Sequence, residues 1–284
     1  MIVCPNAKIN LGLEVVRRRE DGYHDIETLF VPVPEMRDVL EVVKADEPGM
    51  TCYGIPCGVP MEKNLCFKAF RLMQKSYGIG DIHIFLYKNI PMGAGLGGGS
   101  SDAAFTLIAL NEVFKMGLSK ERLAELAAEL GSDCPFFIYN QPMFATGRGE
   151  KLEPYPIDLS GYRIEVVTPG IHISTAEAYA GVDAIKGLDV STSPGVTKEG
   201  MSFRPNAVSG EISDTRQTLK PLKYRLNSGV ENWRENVVND FEAYAFAKYP
   251  ILADIKNSFY ERGAVYASMT GSGSAVYGIF PKSL

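Results

Sequence analysis

The glycine-rich stretch Pro91-Met92-Gly93-Ala94-Gly95-Leu96-Gly97-Gly98-Gly99-Ser100-Ser101 decides the fold. Five of the chain's 28 glycines fall within residues 93–99, directly before a segment with helical apolar spacing. Glycine permits positive φ and close approach of a ligand to the backbone, and a helix N-terminus carries a partial positive charge. Backbone amides in such a loop bind phosphate without a cationic side chain. The stretch therefore predicts a phosphate-binding loop.

The segments after this loop predict its setting. Apolar residues recur at helical spacing over 103–114, so the loop leads into a helix whose N-cap is Ser100 or Ser101. A second helix is expected over 119–131, ending at a glycine, with Asp133 just beyond it. A phosphate held by the loop would therefore lie at a helix N-terminus.

Two better-known nucleotide loops fit the stretch less well. The spacing Gly93-x-Gly95-x-x-Gly98 matches the dinucleotide fingerprint letter for letter. That fingerprint requires an acidic residue at the end of the next strand about 20 residues on, which reaches Glu112 inside the predicted helix. A Walker A loop requires Gly-Lys-Ser/Thr after the glycines, which this sequence lacks. A phosphate loop of a third kind is indicated.

Composition and charge exclude several classes of protein. The chain has 284 residues and a net charge of −5, so a basic field for nucleic acid is absent. No apolar run approaches the roughly 20 residues of a membrane span, and the first residues resemble no signal or transit peptide. We expect a cytoplasmic protein with no nucleic-acid or membrane partner. The five cysteines form no CxxC pair, so reduced thiols are expected.

Apolar and polar residues alternate along the opening stretch 2–16, which predicts a half-buried strand. Its polar face carries Asn6, Lys8 and Asn10 side by side. Burying such groups without partners would cost on the order of a few kcal/mol each. This face is therefore either hydrated or part of a site.

The remaining elements are predicted more coarsely. Further strands are expected over 39–43, 82–87, 163–168, 264–269 and 275–280, the last two joined by a tight glycine turn. Residues 186–232 are polar, rich in Ser, Thr and Gly, and weakly periodic, which predicts irregular structure.

Three separated blocks carry a resemblance to a known family. They are Pro5-Asn6-Ala7-Lys8-Ile9-Asn10-Leu11, the glycine stretch 91–101, and Met269-Thr270-Gly271-Ser272-Gly273-Ser274. In this order they resemble the signature motifs of the GHMP kinases, which include galactokinase and the homoserine, mevalonate and phosphomevalonate kinases. Two shorter blocks, Gly22-Tyr23-His24 and Gly131-Ser132-Asp133-Cys134-Pro135, resemble the branch whose acceptor is a cytidine-diphosphate-linked methylerythritol. The resemblance spans nearly the whole chain.

The resemblance implies an α+β fold, the two-domain GHMP kinase fold. Residues 1–153 would form a nucleotide-binding and catalytic domain like domain 2 of ribosomal protein S5. Residues 154–284 would form a ferredoxin-like domain on the substrate side, with the active site in the cleft between the two. A change of sequence pattern between Arg148 and Pro154 agrees with this division. Only four residues follow Phe280, so we expect a C-terminal domain with fewer elements than its relatives have.

The resemblance also implies the reaction, transfer of the ATP γ-phosphoryl group to the 2-hydroxyl of that acceptor in non-mevalonate isoprenoid synthesis. Phosphoryl transfer needs aligned reactants, stabilisation of the phosphoryl oxygens and a destination for the hydroxyl proton. The family's lysine and aspartate fall on Lys8 and Asp133. We expect Asp133 to act as general base, with Lys8 keeping it ionised and polarising the reacting groups.

ATP with Mg²⁺ is the implied co-substrate. The residues implied to bind it are Asn64, on the adenine side, and Pro91, Met92, Gly93, Ala94, Gly95, Leu96, Gly97, Gly98, Gly99, Ser100 and Ser101. A hydroxyl of Ser100 or Ser101 could assist Mg²⁺. Asp102 is expected to cap the helix rather than contact the metal.

The acceptor end has its own implied residues, which are Asn10, Tyr23, His24, Thr175, Tyr179, Gly271, Ser272 and Gly273. Tyr23 and His24 would recognise the cytosine, and Tyr179 could complete a sandwich, where stacking contributes about 1–3 kcal/mol per base. Asn10 would hydrogen-bond the methylerythritol hydroxyls, and residues 270–274 would close over the substrate phosphates.

Three other functions stay open. A sister kinase acting on mevalonate, homoserine or a sugar would share Lys8 and the glycine loop but would not need Tyr23 or Tyr179 for stacking. A dinucleotide-dependent oxidoreductase would use residues 93–98 to bind NAD(H). A non-catalytic nucleotide sensor would bind ATP without turnover.

Overall fold

The computed structural model of the chain describes residues 1–188 and 220–282. The strands are β1 (Ile2–Val3), β2 (Asn6–Arg18), β3 (His24–Arg37), β4 (Val39–Lys44), β5 (Gly49–Gly54), β6 (Ile82–Lys88), β7 (Met143–Thr146), β8 (Lys151–Pro154), β9 (Tyr162–Val167), β10 (Tyr266–Met269) and β11 (Val276–Pro281). The helices are α1 (Leu65–Tyr77), α2 (Gly98–Val113), α3 (Lys120–Leu130), α4 (Cys134–Tyr139), α5 (Thr175–Lys186), α6 (Leu222–Leu226), α7 (Trp233–Asn236), α8 (Glu242–Lys248) and α9 (Ile251–Glu261).

These strands form three sheets within the described ranges. The first has the order β1-β4-β6-β5, the second β2-β3-β7-β8, and the third β10-β11-β9. Strand β5 runs parallel to β6, and the other neighbouring strands are antiparallel. Helix α2 packs against α1, α3, α4 and β4, so it lies at the centre of the N-terminal half.

The long hairpin β2–β3 builds the floor of the site. In its register Lys8 lies opposite Pro32, and Asn10 lies opposite Phe30. The pairing shifts between Leu11 and Leu13, where Gly12 adopts a φ of 64° at a β-bulge. The sequence pattern did not predict β3, although it pairs with nearly the whole of β2.

The core explains why α2 is a central helix. Leu107 and Leu110 of α2 are fully buried, in one cluster with Phe67 and Phe70 of α1 and with Leu40 of β4. Ala and Leu side chains occur around much of the α2 circumference, as expected for a helix packed on several sides.

The third sheet belongs to the C-terminal half. Strand β11 lies between β9 and β10 and is antiparallel to both, and α9 packs on β10 and β11. This order is that of three strands of a ferredoxin-like sheet, and no fourth strand occurs within the described residues. The predicted domain boundary after residue 153 falls at the end of β8 and stays a prediction.

Several predicted elements are confirmed and others need correction. Strands β4, β6, β9, β10 and β11 match the predicted segments, and α3 begins after Ser119, whose hydroxyl caps it, and ends at Gly131. The opening strand was wrong as one piece, because the chain leaves β1 before Pro5 and re-enters a different sheet as β2.

The predicted irregular segment 186–232 lies partly outside the described residues. Its described end contains α6, which the polar composition did not predict. Leu222 and Leu226 bury the apolar side of this short helix against the core. All five cysteines are free thiols, as predicted. Among the described helices, none has the length and apolar character needed to cross a membrane.

Candidate active site

The glycine stretch forms a loop between β6 and α2 with an alternating structure. Gly93, Gly95 and Gly97 adopt φ values of 68°, 79° and 71°, which residues with side chains rarely adopt. Ala94 and Leu96, between them, are buried. The apolar residues therefore anchor the loop in the core, and the glycines provide the turns.

The loop's carbonyl groups face the protein. The Ala94 carbonyl accepts the Ala275 amide at 3.1 Å, and the Leu96 carbonyl accepts the Lys8 amide at 3.0 Å. Because the N–H and C=O of one peptide unit point in opposite directions, the amides of residues 95 and 97 face away from those partners. No acceptor for them occurs in the described part of the chain. Unpaired amides beside positive-φ glycines are the donors that a phosphate requires.

Gly95 also explains why this loop can contact the third glycine loop, which is the glycine turn of the third motif at residues 270–274. A Cβ atom at Gly95 would lie 2.1 Å from the Thr270 carbonyl oxygen, which is too close for any side chain. The Thr270 hydroxyl lies 3.2 Å from the Gly95 carbonyl oxygen. The second and third motifs therefore meet backbone to backbone.

The helix α2 begins earlier than predicted. Gly97 is its N-cap, so the prediction of Ser100 or Ser101 at that position was wrong. The backbone reverses at the positive φ of Gly97, and Gly98 fits the first turn because a Cβ there would lie 2.8 Å from Ile90. No side chain caps the helix, so its first amides remain available to an anion.

The serines and Asp102 of the first turn have different surroundings. Ser101 is fully buried and its hydroxyl has no hydrogen-bond partner, whereas Ser100 is partly exposed. The expectation that Asp102 caps the helix was wrong, because its carboxylate accepts a 2.7 Å hydrogen bond from the Lys88 ammonium. Lys88 also donates to Asp38, and all three side chains are buried.

Lys8 lies under the glycine loop with its ammonium group buried. It donates to the Asn10 side-chain oxygen at 2.6 Å and to the Gly95 carbonyl at 3.0 Å. The Phe30 ring lies 5.0 Å from the same ammonium. Asn6, Lys8 and Asn10 are all buried and have hydrogen-bond partners. The polar face of β2 is therefore not hydrated, and the prediction of a half-buried strand was wrong.

Asp133 supplies the carboxylate that lies beside the Lys8 ammonium. It lies between α3 and α4, and its side chain makes no capping hydrogen bond. One carboxylate oxygen lies 3.6 Å from the Lys8 ammonium, and the Asp133 side chain remains 33% exposed. Burial lowers the pKa of Lys8, and the neighbouring Asp133 opposes that shift. The pair joins a buried cation to a carboxylate that solvent or a ligand can reach.

Asn10 and Thr270 connect the first and third motifs. The Thr270 hydroxyl lies 3.1 Å from the Asn10 side-chain oxygen and accepts the Asn10 amide at 3.1 Å. The Asn10 side-chain amide donates to Thr28 at 3.0 Å. With the contact to Gly95, the Thr270 hydroxyl connects the third motif to both the first and the second.

The residues assigned to the acceptor's base lie at the far end of the hairpin. Tyr23 is 57% exposed, with the Arg148 guanidinium 5.0 Å from its ring. His24 is buried and stacks on Tyr179 with ring centroids 4.4 Å apart. Its Nε2 lies 2.8 Å from an Asp183 carboxylate oxygen. One face of Tyr179 is thus covered by His24, so a sandwich between Tyr23 and Tyr179 stays a prediction.

The other predicted residues are placed as follows. Asn64 is the N-cap of α1, where its side-chain oxygen accepts the Cys66 amide at 2.9 Å, and an adenine contact stays a prediction. Thr175 is the exposed first residue of α5. Gly271, Ser272 and Gly273 lie in the turn between β10 and β11, with Gly271 beside Gly95. The structure brings together the three motifs and Asp133, and the ligand contacts of Asn64, Thr175 and Tyr23 stay predictions.

Sequence reasoning missed several residues of the site. Phe30 and Thr28 lie on β3, which pairs with β2, so recognising the hairpin would have found them. Lys88 precedes Asp102 by 14 residues, Asp38 lies on an earlier part of the chain, and no spacing rule links the three. Within the described ranges there is no group of three or more His, Cys, Asp or Glu side chains that could hold a metal ion.

Comparison with known families agrees with this geometry. The family model described as the GHMP kinases N terminal domain matches residues 64–141, and the one described as GHMP kinases C terminal matches residues 226–284. The first range contains the glycine loop, α2 and Asp133, and the second contains the third glycine loop.

Individual relatives cover nearly the full chain. A 4-diphosphocytidyl-2-C-methyl-D-erythritol kinase from Azobacteroides pseudotrichonymphae genomovar. CFP2 is 45% identical over 99% of this chain and 94% of its own. A crystal structure of 4-(cytidine 5'-diphospho)-2C-methyl-D-erythritol kinase is 32% identical, with a TM-score of 0.73, covering 98% of this chain and 89% of that chain. Methanococcus jannaschii mevalonate kinase shares the fold, with 14% identity and a TM-score of 0.65 over 99% of this chain and 90% of its own.

Proposed function

The chain belongs to the GHMP kinases, among the 4-diphosphocytidyl-2-C-methyl-D-erythritol kinases, and from that membership we propose its reaction. It transfers the γ-phosphoryl group of ATP to the 2-hydroxyl of 4-diphosphocytidyl-2-C-methyl-D-erythritol, in non-mevalonate isoprenoid synthesis. The observation that carries the proposal is the Lys8–Asp133 pair beneath a loop of unpaired amides. A cytoplasmic location stays a prediction.

Asp133 is the proposed general base. Its carboxylate is accessible, makes no capping bond and lies 3.6 Å from the Lys8 ammonium. An acceptor hydroxyl bound beside it would give up its proton to a carboxylate oxygen as the O–P bond forms. A positioned base of this kind typically contributes about 10²- to 10⁴-fold in rate.

Lys8 is the proposed electrostatic partner. Its ammonium has acceptors in Asn10, Gly95 and Asp133, which fix it at the point where the first and second motifs meet. Burial makes this charge act in a region of low dielectric, where interactions with phosphoryl oxygens are stronger than in water. Lys8 therefore orients the carboxylate and stabilises negative charge on the transferring group.

The residues present fit the phosphates of ATP. The positive-φ glycines and the uncapped start of α2 supply amide donors. A Cβ at Gly95 would clash with the Thr270 carbonyl and one at Gly98 with Ile90, so this loop conformation requires glycine at both positions. Mg²⁺ usually keeps several waters and binds through substrate phosphates with one or two protein oxygens, and it would neutralise charge on them. The partly exposed Ser100 hydroxyl fits such a contact better than the buried Ser101. One oxygen of Asp102 accepts a hydrogen bond from Lys88, and the other is buried without a partner.

The base end supports the cytidine-linked acceptor over a smaller one. An exposed aromatic ring at Tyr23 and the stacked His24–Tyr179 pair lie at the start of β3 and on α5. A kinase for mevalonate or homoserine has no nucleobase to bind. A dinucleotide-binding oxidoreductase needs an acidic residue at a strand end to bind the ribose. Glu112 lies near the end of α2 instead, which counts against that alternative.

A panel of acceptors tests the proposal. ADP formation is measured with purified protein, Mg²⁺-ATP and, separately, the cytidyl compound, mevalonate, homoserine and galactose. We expect turnover with the cytidyl compound alone. Phosphorylation of mevalonate without the cytidyl compound would refute the substrate assignment. NAD(H) binding without ATP binding would support the oxidoreductase, and ATP binding without turnover of any acceptor would support the sensor.

A further inference from the structure

Asn239 lies between α7 and α8, directly behind the third glycine loop, and Glu242 is the first residue of α8. None of the sequence motifs includes residues 239–242. Asn239 is buried there, with 2% of its surface exposed. A buried amide side chain requires hydrogen-bond partners, and those partners show what the residue holds in place.

Asn239 holds the third glycine loop on both sides of its threonine. The side-chain nitrogen of Asn239 donates to the carbonyls of Met269 at 2.8 Å and Gly271 at 2.9 Å, which flank Thr270. The side-chain oxygen accepts the Phe241 amide at 3.0 Å. This pattern of two donors and one acceptor fixes the orientation of the Asn239 side chain. Both of its amide protons are donated to the third glycine loop.

The backbone on either side of Asn239 is tied to β2. The Leu13 amide donates to the Val238 carbonyl at 2.9 Å, and the Asp240 amide donates to the Leu13 carbonyl at 2.8 Å. The Asp240 carboxylate accepts the Val15 amide at 2.6 Å. These bonds fix the backbone around Asn239 to β2, the strand that carries Lys8.

Glu242 holds β10, the strand that leads into the same loop. Its carboxylate accepts the Ser268 hydroxyl at 2.9 Å and the Met269 amide at 2.8 Å. The strand leading into the third glycine loop is thus held by Glu242, and the turn itself is held by Asn239.

We propose that Asn239 is a positioning residue for phosphoryl transfer, which sets the third glycine loop relative to Lys8. The loop acts through Thr270, whose hydroxyl contacts the Asn10 side-chain oxygen and the Gly95 carbonyl. Both of those groups accept hydrogen bonds from the Lys8 ammonium. A shift of Thr270 therefore reaches the two acceptors that orient Lys8, and misplacement by about 1 Å can cost roughly 10²-fold in rate.

The test compares Asn239→Ala and Asn239→Asp with the wild type. Asp has the shape of Asn and keeps the acceptor for Phe241, but it has no protons for the two carbonyls. We expect both variants to lower kcat about 10- to 100-fold, with KM for ATP within about threefold of wild type. Amide hydrogen exchange should accelerate at residues 269–274 and stay unchanged in β6.

Asn111→Ala is the matched control. Asn111, near the C-terminal end of α2, is also a buried asparagine bonded to backbone, and its partner is Leu118. We expect this control to lower the melting temperature and leave kcat within about twofold. If Asn239→Ala does not fold, Asn239→Asp supplies the comparison.

The outcomes separate this inference from the proposed kinase activity, on which its kinetic readout rests. Wild-type kcat in Asn239→Asp, or unchanged exchange at residues 269–274, would overturn the positioning role. Absence of wild-type turnover would count against the kinase proposal, while the exchange experiment would still decide what Asn239 holds.

Discussion

Two lysine–carboxylate clusters flank the glycine loop, and they differ in how closed they are. Lys8 lies 3.6 Å from Asp133, and that carboxylate is one-third exposed. Lys88 bonds two carboxylates, Asp38 and Asp102, and no side chain of that cluster is more than 4% exposed. The same residue types therefore form one open pair and one sealed cluster.

The difference in exposure assigns the two clusters different roles, one in catalysis and one in supporting the loop. Asp133 has a free side facing solvent, so a substrate hydroxyl can reach it. Asp38 is filled by Lys88 and by the amides of Asn89 and Ile90, which fixes the end of β6 where the glycine loop starts. We interpret the open pair as catalytic and the sealed cluster as the support of the loop and the first turn of α2.

Asp133→Asn changes the open Lys8–Asp133 pair and should give the largest effect, a loss of kcat. The amide cannot accept the hydroxyl proton as a base, so kcat should fall about 10²- to 10⁴-fold. Lys8 keeps its bonds to Asn10 and Gly95, so the free energy of unfolding should change by only about 1 kcal/mol. Steady-state kinetics and urea unfolding check this, and full activity would remove Asp133 as the base.

Lys88→Met should break the comparison on the structural side. It removes the cation shared by the buried Asp38 and Asp102 side chains, which should lower the free energy of unfolding by about 3 kcal/mol. We expect a smaller effect on kcat of the folded fraction than in Asp133→Asn. Urea unfolding gives the first quantity, and kinetics normalised to folded protein gives the second. A stable variant with a lost kcat would mean that Lys88 acts in the chemistry.

Asp102→Asn should change kcat least of the three variants, and it sharpens the comparison through the pH dependence of stability. Burial raises the pKa of Asp102 to about 8, and the Asp38 charge adds to this while Lys88 opposes it. The folded state then holds a proton that the unfolded state, with a pKa of 3.8, has released. Between about pH 5 and about pH 7.5 the wild type should therefore lose stability as pH rises, by at most about 1.4 kcal/mol per pH unit.

The matched measurement is urea unfolding of wild type and Asp102→Asn across that pH range. The variant cannot release a proton at this position, so its stability should depend less on pH than that of the wild type. Parallel pH profiles for the two proteins would show that Asp102 does not carry the bound proton.

Local sequence signals found much of the site. The glycine loop could be predicted because positive φ and close ligand approach are properties of glycine itself, and the structure confirms the turns at Gly93, Gly95 and Gly97. Lys8 and Asp133 came from the resemblance to a family, and the structure places them 3.6 Å apart.

Longer-range features could not be found in the same way. Strand β3 lacks a clean alternation because most of its residues from His24 to Val33 are buried, so its pairing with β2 went unrecognised. The role of Asp102 depends on Lys88 and Asp38, which come together only when β6, α2 and the end of β3 pack. The contacts of Asn239 likewise depend on the fold of the C-terminal half.

The most direct test of the central claim follows the phosphoryl group itself. ³¹P NMR is recorded during reaction of wild-type protein with Mg²⁺-ATP and 4-diphosphocytidyl-2-C-methyl-D-erythritol. We predict that the γ-phosphate signal of ATP is replaced by a phosphomonoester on the acceptor, with the cytidine diphosphate signals retained. Release of inorganic phosphate with an unchanged acceptor would contradict the claim that Lys8 and Asp133 direct transfer to its hydroxyl.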